Sequence, residues 1–137
     1  MKLSVEVPFG DLDAMGHLNN VAYFKYLELA RQKYWLALIG SRNFRDIGFL
    51  VARAEIDFRS SVEMGEVLDL EIRVSRLGNT SFDFRYRITG PDGRVVAEAA
   101  TVQVLYDWEA RRTKPVTDAL RRSIAAFEAA DPPAAAG

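Results

Sequence analysis

Apolar and polar residues alternate weakly from Lys2 to Pro8, with Leu3, Val5 and Val7 on one side, and predict a strand. A polar loop containing glycine follows. From about Asn20 to Ile39 no glycine or proline interrupts the chain, and Tyr23, Phe24, Leu27, Ala30, Tyr34 and Leu38 recur at helical spacing. Lys25, Glu28, Arg31 and Gln32 break up the opposite side. Asn19 or Asn20 offers an N-cap and Gly40 a natural terminator, so the pattern predicts one helix on the order of 28 Å long. Tyr26, Leu29, Trp35 and Leu36 lie outside the main stripe. A helix apolar on several sides is expected to be wrapped by the rest of the chain.

Beyond a loop around Ser41 to Gly48 the period drops to two. Leu50, Ala52, Ala54, Ile56, Phe58 and Val62 fall on one face, and Arg53, Glu55, Asp57 and Arg59 on the other, beside Val51. Met64-Gly65-Glu66 reads as a turn. Leu68, Leu70, Ile72 and Val74 then alternate with charged and polar residues, and after Gly78-Asn79 so do Phe82, Phe84, Tyr86 and Ile88. Gly90-Pro91-Asp92-Gly93 is a hairpin signal. Val95 to Tyr106 alternates less cleanly, which predicts a central strand buried on both faces. These four strands are expected to be joined by short antiparallel connections. Asp107 to Lys114 reads as a polar loop, and Pro115 to about Ala130 as a short amphipathic helix presenting Leu120, Ile124 and Phe127.

One long helix laid on an antiparallel sheet of about five strands is a two-layer α+β architecture. A single domain over residues 1–130 is expected, with a disordered tail over 131–137. An edge strand of such a sheet is a ready place for a second copy to pair.

Composition narrows the function. The chain of 137 residues is 49% hydrophobic and 27% charged, as in ordinary soluble globular proteins, and is long enough to bury roughly two-thirds of its surface. A formal net charge of −1 gives no electrostatic reason to bind nucleic acid or an acidic membrane. No apolar run approaches the ~20 residues that span a bilayer, and the polar start MKLSVEVP does not read as a signal peptide. A cytoplasmic location is the expectation. The absence of cysteine excludes disulfides, zinc–thiolate sites and a cysteine nucleophile, and a single histidine argues against a histidine-rich metal site. Neither a cofactor nor a metal is expected.

The chemistry gathers in the loop before the helix, where Asp11, Asp13 and His17 sit together. Asp13 precedes Asn20 by seven residues, enough chain to turn back on the helix start. A substrate carbonyl set against the Asn20 N–H would be polarised by that donor and by a helix end worth about half a unit charge. Asp13 would then attack the carbonyl carbon, giving a mixed anhydride, or deprotonate a water. Thioesters suit a carboxylate better than amides do, because a thiolate leaves without protonation. The other reading of Asp13 is a loop cap that bonds nearby amides. His17 has the same two readings: it orients Asp13, the water or the carbonyl, or is a loop residue bonded to backbone. For Asn19 and Asn20 the alternative is simple capping. Tyr23 and Phe24, one turn into the helix, either line an acyl pocket or belong to the core.

The run F-G-D-L-D-A-M-G-H-L-N-N-V-A-Y-F-K-Y-L-E, Phe9 to Glu28, resembles the N-terminal signature of the 4-hydroxybenzoyl-CoA thioesterase-like family of hotdog-fold acyl-CoA thioesterases. It is also similar to the D-L-D…H-V-N-N motif of acyl-ACP thioesterases. The likeness extends over the strand, the long helix and the strand meander with Gly65-Glu66 at its first turn. By that resemblance, Asp13 is the catalytic carboxylate and the Asn20 backbone N–H the oxyanion donor. His17 takes the place of a catalytic histidine of the acyl-ACP enzymes, and Tyr23 lies near the acyl group. The substrate would be the thioester of coenzyme A or of acyl carrier protein. The resemblance further implies a homodimer or homotetramer with the active site at the subunit interface. Two positions depart from the pattern. Met15 stands where the acyl-ACP motif has asparagine, and Arg76 is the only basic residue where the benzoyl-CoA enzymes carry a cluster that meets CoA phosphates.

Two other functions compete. A hotdog dehydratase acting on 3-hydroxyacyl thioesters needs a histidine in a proline-rich loop, which is missing here, although Glu28 supplies an acid on the helix. A non-catalytic acyl-CoA binding module predicts that Asp13 is expendable.

Overall fold

The computed structural model describes residues 1–130; the expected tail, 131–137, lies outside the described residues. In chain order the elements are β1 (Lys2–Glu6), α1 (Asn20–Ile39), β2 (Phe49–Phe58), β3 (Val67–Leu77), β4 (Ser81–Thr89), β5 (Val95–Asp107), β6 (Arg112–Thr113) and α2 (Asp118–Ala130). Short 3-10 turns occupy Phe9–Asp11 and Phe44–Asp46. The sheet runs β1-β3-β4-β5-β2, every neighbouring pair antiparallel, and β6 adds two residues to β5 inside the segment expected to be a loop.

Alternation builds the helix-facing side of this sheet. Leu68, Leu70 and Ile72 of β3 are buried, as are Phe82, Phe84, Tyr86 and Ile88 of β4, while the charged residues between them face away. α1 lies on that apolar face and buries Ala22, Tyr23, Tyr26, Leu27, Ala30, Tyr34 and Trp35. Its start is capped by Asn19, whose Oδ1 accepts from Val21 N at 2.9 Å, and it ends at Gly40, whose φ of 68° is the left-handed conformation that glycine tolerates. The expected hotdog architecture is therefore present, a long helix against a curled antiparallel sheet with a short C-terminal helix.

Three details differ from the sequence reading. A bulge between Val51 and Arg53 shifts the register of β2 against β5. Val51 therefore shares the inner face with Ala54, Ile56 and Phe58, and Leu50 turns outward, because an extra residue reverses side-chain parity. β5 is not buried on both faces: Ala97, Ala99, Thr101, Gln103 and Leu105 are buried, but Ala100, Val102 and Val104 are half-exposed. Finally, β2 and β3 form no hairpin. β2 is an edge strand and β3 lies beyond β5 and β4, so residues 59–66 carry the chain across the sheet, with Gly65 turning at φ 81°.

Wrapping of α1 is also incomplete. Val21, Phe24 and Ile39 are exposed, as are Leu50, Val51 and Phe58 on the edge strand.

Candidate active site

The loop between β1 and α1 is a miniature hairpin. Leu12 pairs with Leu18, Asp13 N donates to His17 O at 2.8 Å, and Gly16 N donates to Asp13 O at 3.1 Å across a turn that Gly16 closes at φ 80°. The Asp13 side chain completes this turn. Its Oδ1 accepts from Met15 N at 2.9 Å and from His17 N at 3.1 Å, while Oδ2 takes no hydrogen bond among the described residues. Asp13 is half-buried. The capping role is thus real, and it fixes one carboxylate oxygen while leaving the other unengaged.

Further contacts tie the hairpin to its surroundings. Leu18 N donates to Val62 O at 2.8 Å, His17 bridges Glu63, and Asn19 N donates to Asp11 O at 2.8 Å. The His17 imidazole makes no hydrogen bond among the described residues; its backbone does the structural work. Asn20 is the first residue of α1, exposed, and its backbone N–H has no acceptor among the described residues. The structure therefore brings Asp13, His17, Asn19 and Asn20 to one junction. Tyr23 goes elsewhere, into the core, where its ring meets Phe58 edge-on at 5.1 Å and burial raises the hydroxyl pKa. Phe24 stays on the surface, and Phe9, Met15, Val21 and Met64 around the junction are exposed as well.

Asp11 behaves unlike Asp13. It is buried, and its carboxylate accepts from Lys25 Nζ at 2.5 Å and from Tyr26 OH at 2.6 Å. Those bonds, the lysine's first, hold its pKa below the usual carboxylate range. Burial, together with the Asp11 bond, pushes the Tyr26 hydroxyl far up. This acid ties the loop to the helix and has no oxygen to spare.

A second support comes from residues that the sequence reading did not single out for the site. The Arg94 guanidinium reaches Glu66 at 2.8 Å, Ser60 Oγ at 3.1 Å and Ser61 O at 3.1 Å, and Glu66 accepts from Glu63 N at 2.8 Å. Arg94 thus clamps the crossover that holds His17 and Leu18. Only Gly65-Glu66 gave a signal of it in the sequence, as a turn.

Comparison with known proteins decides what kind of enzyme this is. Residues 7–124 match the thioesterase-like superfamily. The chain belongs to that superfamily. Long-chain acyl-CoA thioesterase FadM of Escherichia coli (strain K12) is 28% identical over 130 residues, covering 90% of this chain and 96% of the relative. A thioesterase of Thermus thermophilus, solved in complex with coenzyme A and Zn, superposes with a TM-score of 0.84 at 31% identity over 93% of each chain. The 4-hydroxybenzoyl-CoA thioesterase from Pseudomonas sp. strain CBS-3 superposes at 0.79 with 20% identity, covering 90% of this chain and 97% of its own, and bears on the fold alone. The enzyme class expected of this superfamily member, a thioesterase, therefore stands. Among its described residues no three of His, Cys, Asp and Glu gather to hold a metal ion, and no helix is long and apolar enough to cross a membrane.

Proposed function

We propose that this superfamily member hydrolyses acyl-CoA thioesters at the loop–helix junction, with Asp13 acting on the thioester carbon and the Asn20 N–H receiving the developing oxyanion. The observation that carries this is the asymmetry of Asp13: Oδ1 is held by two amides while Oδ2 is unengaged, next to a helix start with an unoccupied donor. With the acyl carbonyl oxygen at the Asn20 N–H, the dipole of α1 favours the negative charge that forms there. Oδ2 then adds to the carbonyl carbon and the C–S bond breaks, releasing the thiolate and leaving a mixed anhydride for water to cleave. Alternatively, Oδ2 takes a proton from a water that adds instead. Both routes use the same atoms. In single-turnover reaction in 18O-water, label found in the Asp13 carboxylate identifies the anhydride route with water adding at the aspartyl carbonyl.

Asn19 caps the helix that supplies the donor, His17 presents an unbonded imidazole to the thioester, and Phe24 flanks the acyl chain from the surface, above the core in which Tyr23 is buried. Coenzyme A is favoured over acyl carrier protein because the relatives are named for CoA thioesters and Met15 departs from the acyl-ACP motif. The working unit is a homodimer joined along β2, whose outer edge is unpaired among the described residues and which exposes Leu50, Val51 and Phe58.

Asp13→Asn tests the assignment. An asparagine Oδ1 still accepts from Met15 and His17, so the loop and the melting temperature should be retained, while thiol release from acyl-CoA falls about 10^3-fold or more. Undiminished turnover in that variant would leave the non-catalytic binding module as the better reading.

A further inference from the structure

A hydrogen-bond chain runs beneath α1, distant in sequence from the junction. Gln103 Nε2 donates to Phe82 O and Thr101 O, both at 3.1 Å, and the Gln103 Oε1 accepts from the Thr101 hydroxyl. Since the Thr101 proton is committed there, its oxygen accepts from Tyr86 OH at 2.7 Å. The Tyr86 oxygen in turn faces Arg31 Nη1 at 3.5 Å, a long contact. Every donor in the chain points the same way, and its only surplus lies at the guanidinium, which has four further N–H groups. Arg31 is half-buried and has no carboxylate partner among the described residues. A cation drawn out of water without a counter-ion is costly unless an anion joins it.

Beside α1 the inner face of β2 is left partly uncovered. Tyr23 meets Phe58 at 5.1 Å and Trp35 meets Phe49 at 5.3 Å, so α1 and β2 run side by side in opposite directions. Between those contacts Val51, Ala54 and Ile56 face inward on β2 and are exposed or half-exposed, with Ala54 in register with Thr101. Arg31 lies eleven residues along α1 from Asn20, about 16 Å of axis, and helical arginines lean back toward the N-terminus. A chain whose thioester sits at Asn20 and which lies in this trough ends at the guanidinium.

We infer that the trough between α1 and β2 takes a medium-length acyl chain ending in a carboxylate, which Arg31 binds with Tyr86 behind it. This rests on the hydrolase reading for the location of the thioester.

Dodecanedioyl-CoA and lauroyl-CoA differ only in that terminal carboxylate, and calorimetric titration of the Asp13→Asn protein measures their binding without turnover. The dicarboxylic ligand should bind about tenfold tighter or better. Arg31→Gln in the same background should abolish that preference, and Arg31→Lys, which keeps the charge but not the fork, should retain part of it. Equal affinities in the Asp13→Asn protein, or a preference that survives Arg31→Gln, overturn the inference. So does Arg31→Gln dissociating the dimer in sedimentation with no ligand preference in its parent, for the guanidinium then serves a second copy. Thiol release by the unmutated enzyme is scored separately: none from either ligand rejects the hydrolase reading, while the titrations still decide the subsite.

Discussion

The two ends of α1 are made of similar residues and behave in opposite ways. At the C-terminal end, the Tyr34 ring sits edge-on to Phe84 and Phe127, both at 4.8 Å, and its hydroxyl donates to Glu128 Oε1 at 2.5 Å. Trp35 packs between Phe49 and Phe82, and its Nε1 donates to Asp46 O at 3.1 Å. The same Glu128 carboxylate also accepts Val74 N at 2.7 Å, beside the β3 bulge. At the N-terminal end the Asn20 N–H and one Asp13 oxygen are unengaged, and Val21 and Phe24 face solvent. One end is closed by packing and anchors the fold; the other keeps its polar groups unmatched, which is what a reacting carbonyl requires.

The sharpest way to break that contrast is to open the closed end. Trp35→Ala removes a ring packed against two phenylalanines and should cost about 3–5 kcal/mol of stability, read as a lower urea midpoint. A loss well under 1 kcal/mol would mean that the C-terminal end of α1 is not where the fold is anchored. Next in size is the donor at the other end. Asn20 is the first helical residue, where proline is well accepted, and Asn19 at φ −66° and ψ 139° already has the conformation that a following proline requires. Asn20→Pro therefore deletes one N–H with little cost to folding. It should lower kcat about 10^2–10^3-fold, whereas an oxyanion held elsewhere would leave kcat unchanged.

Much of the closed end was legible in the sequence, and the open end less so. The extent of helix α1 was readable, with its N-cap left between Asn19 and Asn20, because neither glycine nor proline interrupts it and because asparagine and Gly40 are end signals that act locally. The face of β2 was not, since the bulge after Val51 inverts side-chain parity without any special residue to announce it. The crossover was hidden for a different reason. Strand order is a tertiary property, and Arg94 gripping Glu66, Ser60 and Ser61 joins segments about thirty positions apart. Asp11 and Asp13 lie two residues apart in one loop, and only the seven-residue spacing from Asn20 and the resemblance pointed to Asp13. What separates them in space is Tyr26 and Lys25, which occupy Asp11.

That separation gives the smallest expected effect and the clearest sign. Asp11 titrates below its ordinary 3.8 in the folded protein, so folding favours the ionised form. Its contribution is fully present above the unfolded value and disappears as pH falls through the lower folded value. Lys25 is 59% exposed, so solvent screening reduces the gain from the pair to about 1 kcal/mol. Asp11→Asn keeps an acceptor for Tyr26 OH and loses the charge together with the bond from Lys25 Nζ. The variant should be less stable than the parent by about that amount near neutral pH, the gap should persist down to about pH 4, and it should close below, in urea titrations run from pH 7 to pH 3. Because the Asp11 carboxylate is taken up by Lys25 and Tyr26, kcat near neutrality should change far less than in Asn20→Pro. A gap that widens on acidification would mean that the buried acid is held protonated, and that the loop is fixed to the helix by something other than this ion pair.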